Sequence, residues 1–203
     1  MLSARLQAVA DRVKGPRHAD IGSDHGHMPL FLAARLPQVI AVEKHSGPFE
    51  RCLQAVQGTG VEVRFGDGLA PLRAGEVDSL SICGMGSLNI RDILQRGREK
   101  LPRQLVLQPM DNARPVRHWA RHNGFHLRSE QWLEPYVVLE FRAASGADPA
   151  YADLPEEAEF FGPLLLANQE YLAQQKDWLE SLGRADARLE FLRIQGLSRP
   201  DQY

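Results

Sequence analysis

The sequence predicts an α/β protein: a doubly wound, mostly parallel sheet that ends in an antiparallel hairpin and is followed by a helical C-terminal appendage. Three observations predict it. Short apolar runs alternate with helix-patterned segments from residue 17 to residue 123. Two β-patterned segments, 126–134 and 136–143, then follow with only Pro135 between them. Beyond residue 156, apolar residues recur at helical spacings.

The 203 residues suffice for one full α/β domain and an appendage. Hydrophobic residues make up 43% and charged residues 25%, and no apolar run approaches the roughly 20 residues that span a bilayer, so a soluble, cytoplasmic protein without membrane association is expected. The start, MLSARLQAVADRV, reads as an amphipathic helix with Leu2, Leu6, Val9 and Val13 on one face rather than as a secretion signal. Cys52 and Cys83 lack a CxxC spacing and are expected to be reduced, buried thiols. His25 and His27 lack a companion ligand set, so no metal is expected. The formal net charge is −2, with 5 Lys/Arg against 10 Asp/Glu in residues 151–203 and 19 against 16 in residues 1–150. That surplus is well short of the footprint of a strong nucleic-acid binder.

Each element has its own signature. Ala19–Ile21 reads as a buried strand ending at Gly22. MPLFLAARL (28–36) follows as a helix with Pro29 tolerated in its first turn, and VIAVEKH (39–45) as a strand that is apolar until Glu43. Pro48 opens a helix that closes at Gly58. VEVRF alternates as a third strand before Gly66-Asp67-Gly68. Ser79–Cys83, a helix over 88–101, the strand QLVLQP and a helix over 113–123 stopped by Gly124 complete the alternation. The pair HLRSEQWLE and YVVLEFRA has no helix between its members and is expected as an antiparallel hairpin at the sheet edge. Residues 144–156 read as a linker. Phe160, Leu164, Leu165, Leu172, Leu179, Leu182, Leu189 and Leu192 then predict a helical hairpin turning at Gly183. This is the strand plan of class I methyltransferases.

The chemistry lies at the strand ends. Asp20-Ile-Gly22-Ser23-Asp24-His25-Gly26 matches a loose D-x-G-x-x-x-G pattern, whose glycines let the backbone turn sharply and approach a ligand. In methyltransferases such a loop holds the methionine moiety of S-adenosylmethionine. Glu43 ends the second strand 23 residues after Asp20, where a carboxylate can accept both ribose hydroxyl protons. Asp67 sits where it can accept a hydrogen bond from the adenine amino group. Cys83-Gly84-Met85-Gly86-Ser87 lacks the N/D-P-P-Y motif of many amino-methylating enzymes and leaves an open floor suited to a flat base. The expected cofactor residues are Asp20, Gly22, Ser23, Asp24, Gly26, Glu43, Lys44, Gly66, Asp67, Gly68, Gly84, Met85 and Gly86.

ADIGSDH, GDGL, GMGS followed by IRDIL, LQP and a late FGPLLL together make the chain resemble the bacterial tRNA (adenine-22-N1)-methyltransferase family, the TrmK type, over nearly its whole length. The resemblance implies a Rossmann-like S-adenosylmethionine-binding domain, set at 1–147, and a helical coiled-coil C-terminal domain, set at 148–203. It also implies methylation of ring nitrogen 1 of an adenine in the tRNA D-loop. The matching positions are Asp20, Gly22, Asp24, His25, Glu43, Gly66, Asp67, Gly84, Gly86 and Gln108. Two positions depart: the family usually has a second glycine where Ser87 stands, and an asparagine where Met110 stands, an amide that Asn112 could replace.

Ring nitrogen 1 already carries a lone pair, so positioning should dominate the transfer. Asp24 is the candidate to stabilise the cationic product or take a proton from it, or else to bind the cofactor's ammonium, while His25 and Gln108 are expected to orient the base. Ser87 and Asn112 are expected at the base pocket. Arg114, Arg117, His118 and Arg121 share one helix face, and Arg5, Arg12, Lys14 and Arg17 cluster near the start. Either group could meet tRNA phosphates, or be a solvated surface. A methyltransferase of small molecules or proteins, and a non-catalytic binding module, stay open as alternatives.

Overall fold

The computed structural model describes residues 2–183 and 186–194. The chain forms a seven-stranded sheet in the order β3-β2-β1-β4-β5-β7-β6. The strands are β1 (Arg17–Ile21), β2 (Gln38–Glu43), β3 (Glu62–Phe65), β4 (Ser79–Met85), β5 (Gln104–Pro109), β6 (Phe125–Leu133) and β7 (Tyr136–Ala143). β1 to β5 run parallel, and β7 returns antiparallel between β5 and the edge strand β6, as the hairpin pattern predicts. A cis Glu134–Pro135 bond forms the hairpin turn.

Burial explains the sequence patterns. Every residue of β5 is buried, and β1 and β2 are buried after their first residue, because helices cover both faces of a parallel sheet. β3 is an edge strand with Glu62 and Phe65 exposed and Val63 and Arg64 half-buried, so its burial does not follow the alternation of its sequence. The covering helices are α1 (Ala4–Arg12), α2 (His27–Ala33), α3 (Ser46–Ala55), α4 (Ser87–Arg96) and α5 (Arg114–His122). One core layer gathers Ile21, Ile82, Leu107, Val116 and Phe141, and the opposite layer Val9, Met28, Leu32, Val106 and Val138. Most observed helices are shorter than predicted, although α3 keeps its length and starts at Ser46, two residues before Pro48; the helix expected over 88–101 ends at Arg96, with a single 3-10 turn at Arg98–Lys100.

The segment read as a linker is anchored. Asp148 is buried and accepts from Leu127 N–H at 2.8 Å, and Tyr151 enters the main core. Beyond it lie α6 (Glu157–Phe161), a 3-10 turn at Pro163–Leu165, α7 (Gln169–Ser181) and α8 (Ala187–Ile194). The expected two helices thus have a short forerunner, broken off at Gly162, where φ is +96°. Gly183 follows α7 at φ +63°. Phe161, Leu172, Leu179 and Leu192 form a third core that takes in Trp132 of β6 and Val137 of β7. The end of the expected C-terminal domain, residues 195–203, lies outside the described residues, as do 184 and 185. Among the described residues no helix is long and apolar enough to cross a membrane.

Candidate active site

A cavity of about 920 Å³ opens at the carboxyl ends of β1, β2, β3 and β4. The sheet order reverses between β1 and β4, and such a switch point is where open α/β sheets bind ligands. Eleven of the thirteen expected cofactor residues line the cavity; Gly26 and Gly86 do not. Gly22 sits at φ +78°, a region that costs other residues about 1–2 kcal/mol, and a Cβ there would collide with Met85 Cε. Gly26, at φ +70°, precedes α2, and a Cβ would press on Cys52 Sγ at 3.1 Å.

The acids sit in different environments. Asp20 is buried and accepts from Ser81 Oγ at 2.7 Å; burial pushes its carboxyl up to about 6, against the pull of its hydroxyl partners. Glu43 is also buried, and backbone amides hold it: Oε1 accepts from Lys44 N–H (2.9 Å) and His45 N–H (3.0 Å), Oε2 from Asp24 N–H (3.3 Å). Asp24, at φ +43°, is exposed at the cavity mouth, 3.2 Å from Arg51 and 3.5 Å from His25. Asp67 is exposed between Arg96 (2.9 Å) and Lys44 (3.7 Å).

Several expected substrate contacts take other roles. Gln108 is fully buried behind Gly84 rather than on the cavity wall: its Oε1 accepts from Gly84 N–H at 3.1 Å and from the Arg5 guanidinium, and its Nε2 donates to Pro109 O at 2.6 Å. Ser87 is buried at the start of α4, where its N–H donates to Asp111 Oδ1 at 2.7 Å. Asn112, just before α5, accepts from Arg114 N–H at 2.9 Å and donates to Phe160 O at 3.3 Å. Neither lines the cavity. Met110, at the other departing position, is exposed, and its N–H donates to Met85 O at 2.9 Å.

The α5 arginines require the largest correction. Arg117 is buried, pairs with the fully buried Glu130 of β6 at 2.6 Å and donates to the carbonyls of Glu159 and Phe160. It is closed to phosphate. Arg114 lies 2.9 Å from Glu156 and 3.7 Å from Glu159, and Arg121 lies 3.7 Å from Glu159; these partly exposed side chains link α5 to α6 and, unlike Arg117, stay open to solvent. Of the N-terminal group, Arg17 pairs with Asp78 and Arg12 bonds Ser129, whereas Arg5 lines the cavity. Cys52 is buried as expected, but Cys83 is only partly buried and also lines the cavity.

The residue types suggested no role at the site for Leu6, Asn89, Asp92 or Arg96, which the fold brings to the cavity. Asn89, Asp92 and Arg96 recur at helical spacing on α4, a polar stripe that periodicity could have marked.

Residues 2–138 match the family model described as "Methyltransferase domain". The chain is 35% identical over 194 residues, 89% of its length and 81% of the relative's, to the tRNA (adenine(22)-N(1))-methyltransferase of Bacillus subtilis (strain 168). The chain belongs to the tRNA (adenine-22-N1)-methyltransferase family. The crystal structure of the B. subtilis family member, TrmK, superposes with a TM-score of 0.81 at 31% identity, covering 96% of this chain and 95% of that one. A Streptococcus pneumoniae protein solved in complex with S-adenosyl-L-methionine gives a TM-score of 0.80 at 28% identity over 96% of both chains. The TrmK of M. capricolum, with S-adenosyl-homocysteine, shares the fold at 21% identity and a TM-score of 0.73, over 97% of this chain and 95% of its own.

Proposed function

We propose that this chain transfers the methyl group of S-adenosylmethionine to N1 of an adenine in tRNA, adenine 22 of the D-loop. The observation that carries this reading is the cavity itself: the loop Asp20–Gly26, the amide-held Glu43 and Asp67 converge on one space at the switch point of the sheet, in a chain that aligns along most of its length with a tRNA (adenine(22)-N(1))-methyltransferase. The residues fit the cofactor. The Gly22 turn leaves space that a Cβ would fill, and beyond the three amides that orient it Glu43 keeps a lone pair on Oε2 for a ribose hydroxyl.

Bound S-adenosylmethionine supplies the electrophilic methyl group. Asp20 would receive the cofactor's ammonium, Glu43 the ribose and Asp67 the adenine amino group, exchanging its exposed pairs with Arg96 and Lys44. Gly84 and Met85 leave the floor open for the substrate base, bounded by Arg5 and Asn89. Gln108 acts from behind as a positioning residue, holding Gly84 and Arg5. Asp24 and His25, at the mouth, remain the candidates for contact with the methylated base, Asp24 by stabilising its positive charge.

The division at 147/148 belongs to the same proposal. Residues 1–147 carry the cavity, and the following helices, fastened through Arg117 and Glu159, form a separate core that would meet the tRNA body. Cations open to phosphates include Lys44, Arg51 and Arg96 at the cavity mouth and the partly exposed Arg114 and Arg121 of α5, but not the buried Arg117. Incubation with radiolabelled S-adenosylmethionine and unmodified tRNA, followed by digestion, should yield labelled N1-methyladenosine. Unlabelled tRNA from protein that binds the cofactor would overturn the tRNA assignment.

A further inference from the structure

His18 is fully buried in β1, and the roles given above do not use it. Its ring lies between two fully buried hydroxyls of β4, Nδ1 at 2.8 Å from Ser79 Oγ and Nε2 at 2.9 Å from Ser81 Oγ. Ser81 has one proton, and it goes to Asp20 Oδ1 at 2.7 Å. Ser81 therefore accepts from His18, which sets the proton on Nε2 and leaves Nδ1 to accept from Ser79. The result is a buried chain, His18–Ser81–Asp20, running along β1 and β4 and ending at a carboxylate on the cavity wall.

We propose that His18 and Ser81 are positioning residues for cofactor binding: the imidazole fixes the Ser81 hydroxyl, and the hydroxyl holds the Asp20 carboxylate ionised and in one orientation toward the cofactor's ammonium. This rests on the cavity being the S-adenosylmethionine site. At the sheet switch point the Ser81 hydroxyl links an acid of the cavity wall to His18, and neither Ser81 nor His18 lines the cavity. Burial pushes Asp20 up to about 6 and His18 down to about 3, so the imidazole is a neutral donor at every pH at which Asp20 titrates. The other titratable groups around Asp20 are Glu43 from β2, Cys83 from β4 and Cys52 from α3, with Arg5 beside Cys83 and Arg35 near His18. His25, His27 and His45 also line the cavity, and their contribution is common to every variant.

The test is calorimetric binding of S-adenosylhomocysteine, and of methylthioadenosine, which lacks the ammonium, between pH 5 and 8.5. For wild type, affinity for S-adenosylhomocysteine should fall toward tenfold per pH unit below about 6, relative to methylthioadenosine. Ser81→Ala removes a hydrogen bond to the charged form and should move that midpoint up by about one unit, so affinity drops several-fold near pH 6.5 and recovers at pH 8.5. His18→Gln should shift it in the same direction by less; if it does not fold, Ser81→Ala decides alone. A Ser81→Ala midpoint equal to wild type, or an equal loss for both probes at every pH, would show a merely structural role and overturn the inference. Wild-type protein that binds neither probe overturns the cofactor reading, and this inference with it.

Discussion

Replacing Arg117 with methionine should destabilise the protein rather than weaken its hold on RNA. The Arg117 side chain is 1% exposed, Glu130 is 0% exposed and the two are 2.6 Å apart. Glu130 also accepts from Leu164 N–H at 3.1 Å, so a charge stranded there keeps one donor. Breaking a buried pair from one side costs about 3–5 kcal/mol, because the remaining charge stays desolvated, and the carbonyls of Glu159 and Phe160 lose a donor as well. Against a total stability of about 5–15 kcal/mol this is a large fraction. With a urea slope of about 2 kcal/mol/M the unfolding midpoint should fall by roughly 2 M. Removing both charges, Arg117→Met with Glu130→Met, should recover most of the loss, since two apolar side chains leave no unpaired ion. Urea melts of wild type, both singles and the double give the coupling energy. Filter binding of the folded double variant to tRNA across a salt series gives the functional arm. Wild-type affinity and salt slope are expected. An unchanged urea midpoint for Arg117→Met, together with a salt slope reduced by about one, would refute the burial argument and restore a phosphate contact.

Gly22→Ala should lower the thermal midpoint, by about 1–2 kcal/mol in stability, and cut cofactor affinity at least tenfold, because its φ of +78° disfavours a side chain and the new Cβ displaces Met85; calorimetry and thermal melts check both. Glu43→Gln turns an amide donor toward a backbone N–H and removes the charge that the three amides hold, so cofactor affinity should drop about tenfold or more, with roughly 1 kcal/mol lost in urea. Asp20→Asn should remove the midpoint near pH 6 from the difference between S-adenosylhomocysteine and methylthioadenosine binding, yet stabilise the ligand-free protein: a carboxyl raised from 3.8 to about 6 gives stability that is full below about pH 4 and lost as pH rises to 6, at most about 3 kcal/mol. His18, lowered from 6.5 to about 3, contributes the opposite slope, with stability lost as pH falls below about 6.5, so His18→Gln should make the protein less sensitive to acid between pH 6 and 4 in urea melts.

The parts of the fold and site that the sequence reveals are those whose cause is local. The turn at Gly22, the acid closing β2 and the Gly66-Asp67-Gly68 corner each announce themselves within a few residues, because a positive φ or a strand end restricts which residue can stand there. The α5 stripe shows where local reasoning stops. Periodicity rightly places Arg114, Arg117, His118 and Arg121 on one face, but what covers that face comes from Glu130 on β6 and Glu159 on α6, 13 and 42 residues from Arg117. Gly162 belongs to the same arrangement: a Cβ there would meet Arg117 Nη2 at 2.5 Å and Glu130 Oε2 at 2.7 Å, a constraint no local pattern expresses. The resemblance points Asn112, Ser87 and Gln108 to the base pocket, yet each is engaged across an element boundary: Gln108 by the Gly84 N–H, Asn112 by the Phe160 carbonyl, and the Ser87 N–H by the Asp111 carboxylate. His18 gave no signal, since a lone histidine in a strand does not reveal that two serines sixty residues later flank it.

The cavity divides its acids by environment, and the division accounts for how one site can hold a small cofactor firmly and a large polyanion loosely. Asp20 and Glu43 are buried and already bonded to hydroxyls or amides, so they meet a ligand without reorganising, and the protein bears the cost of that order in its folded state. Asp24 and Asp67 at the mouth pair with Arg51, Arg96 and Lys44 in side chains about half exposed, where an ion pair is worth about 0–1 kcal/mol. Such pairs exchange at little cost. In the proposed function Asp67 would turn to the cofactor's adenine, and Lys44 and Arg96 would then lose a paired carboxylate beside the cavity mouth. On that proposal the floor at Gly84 and Met85 would set the geometry of transfer, while the mouth would supply positive charge as the substrate arrives.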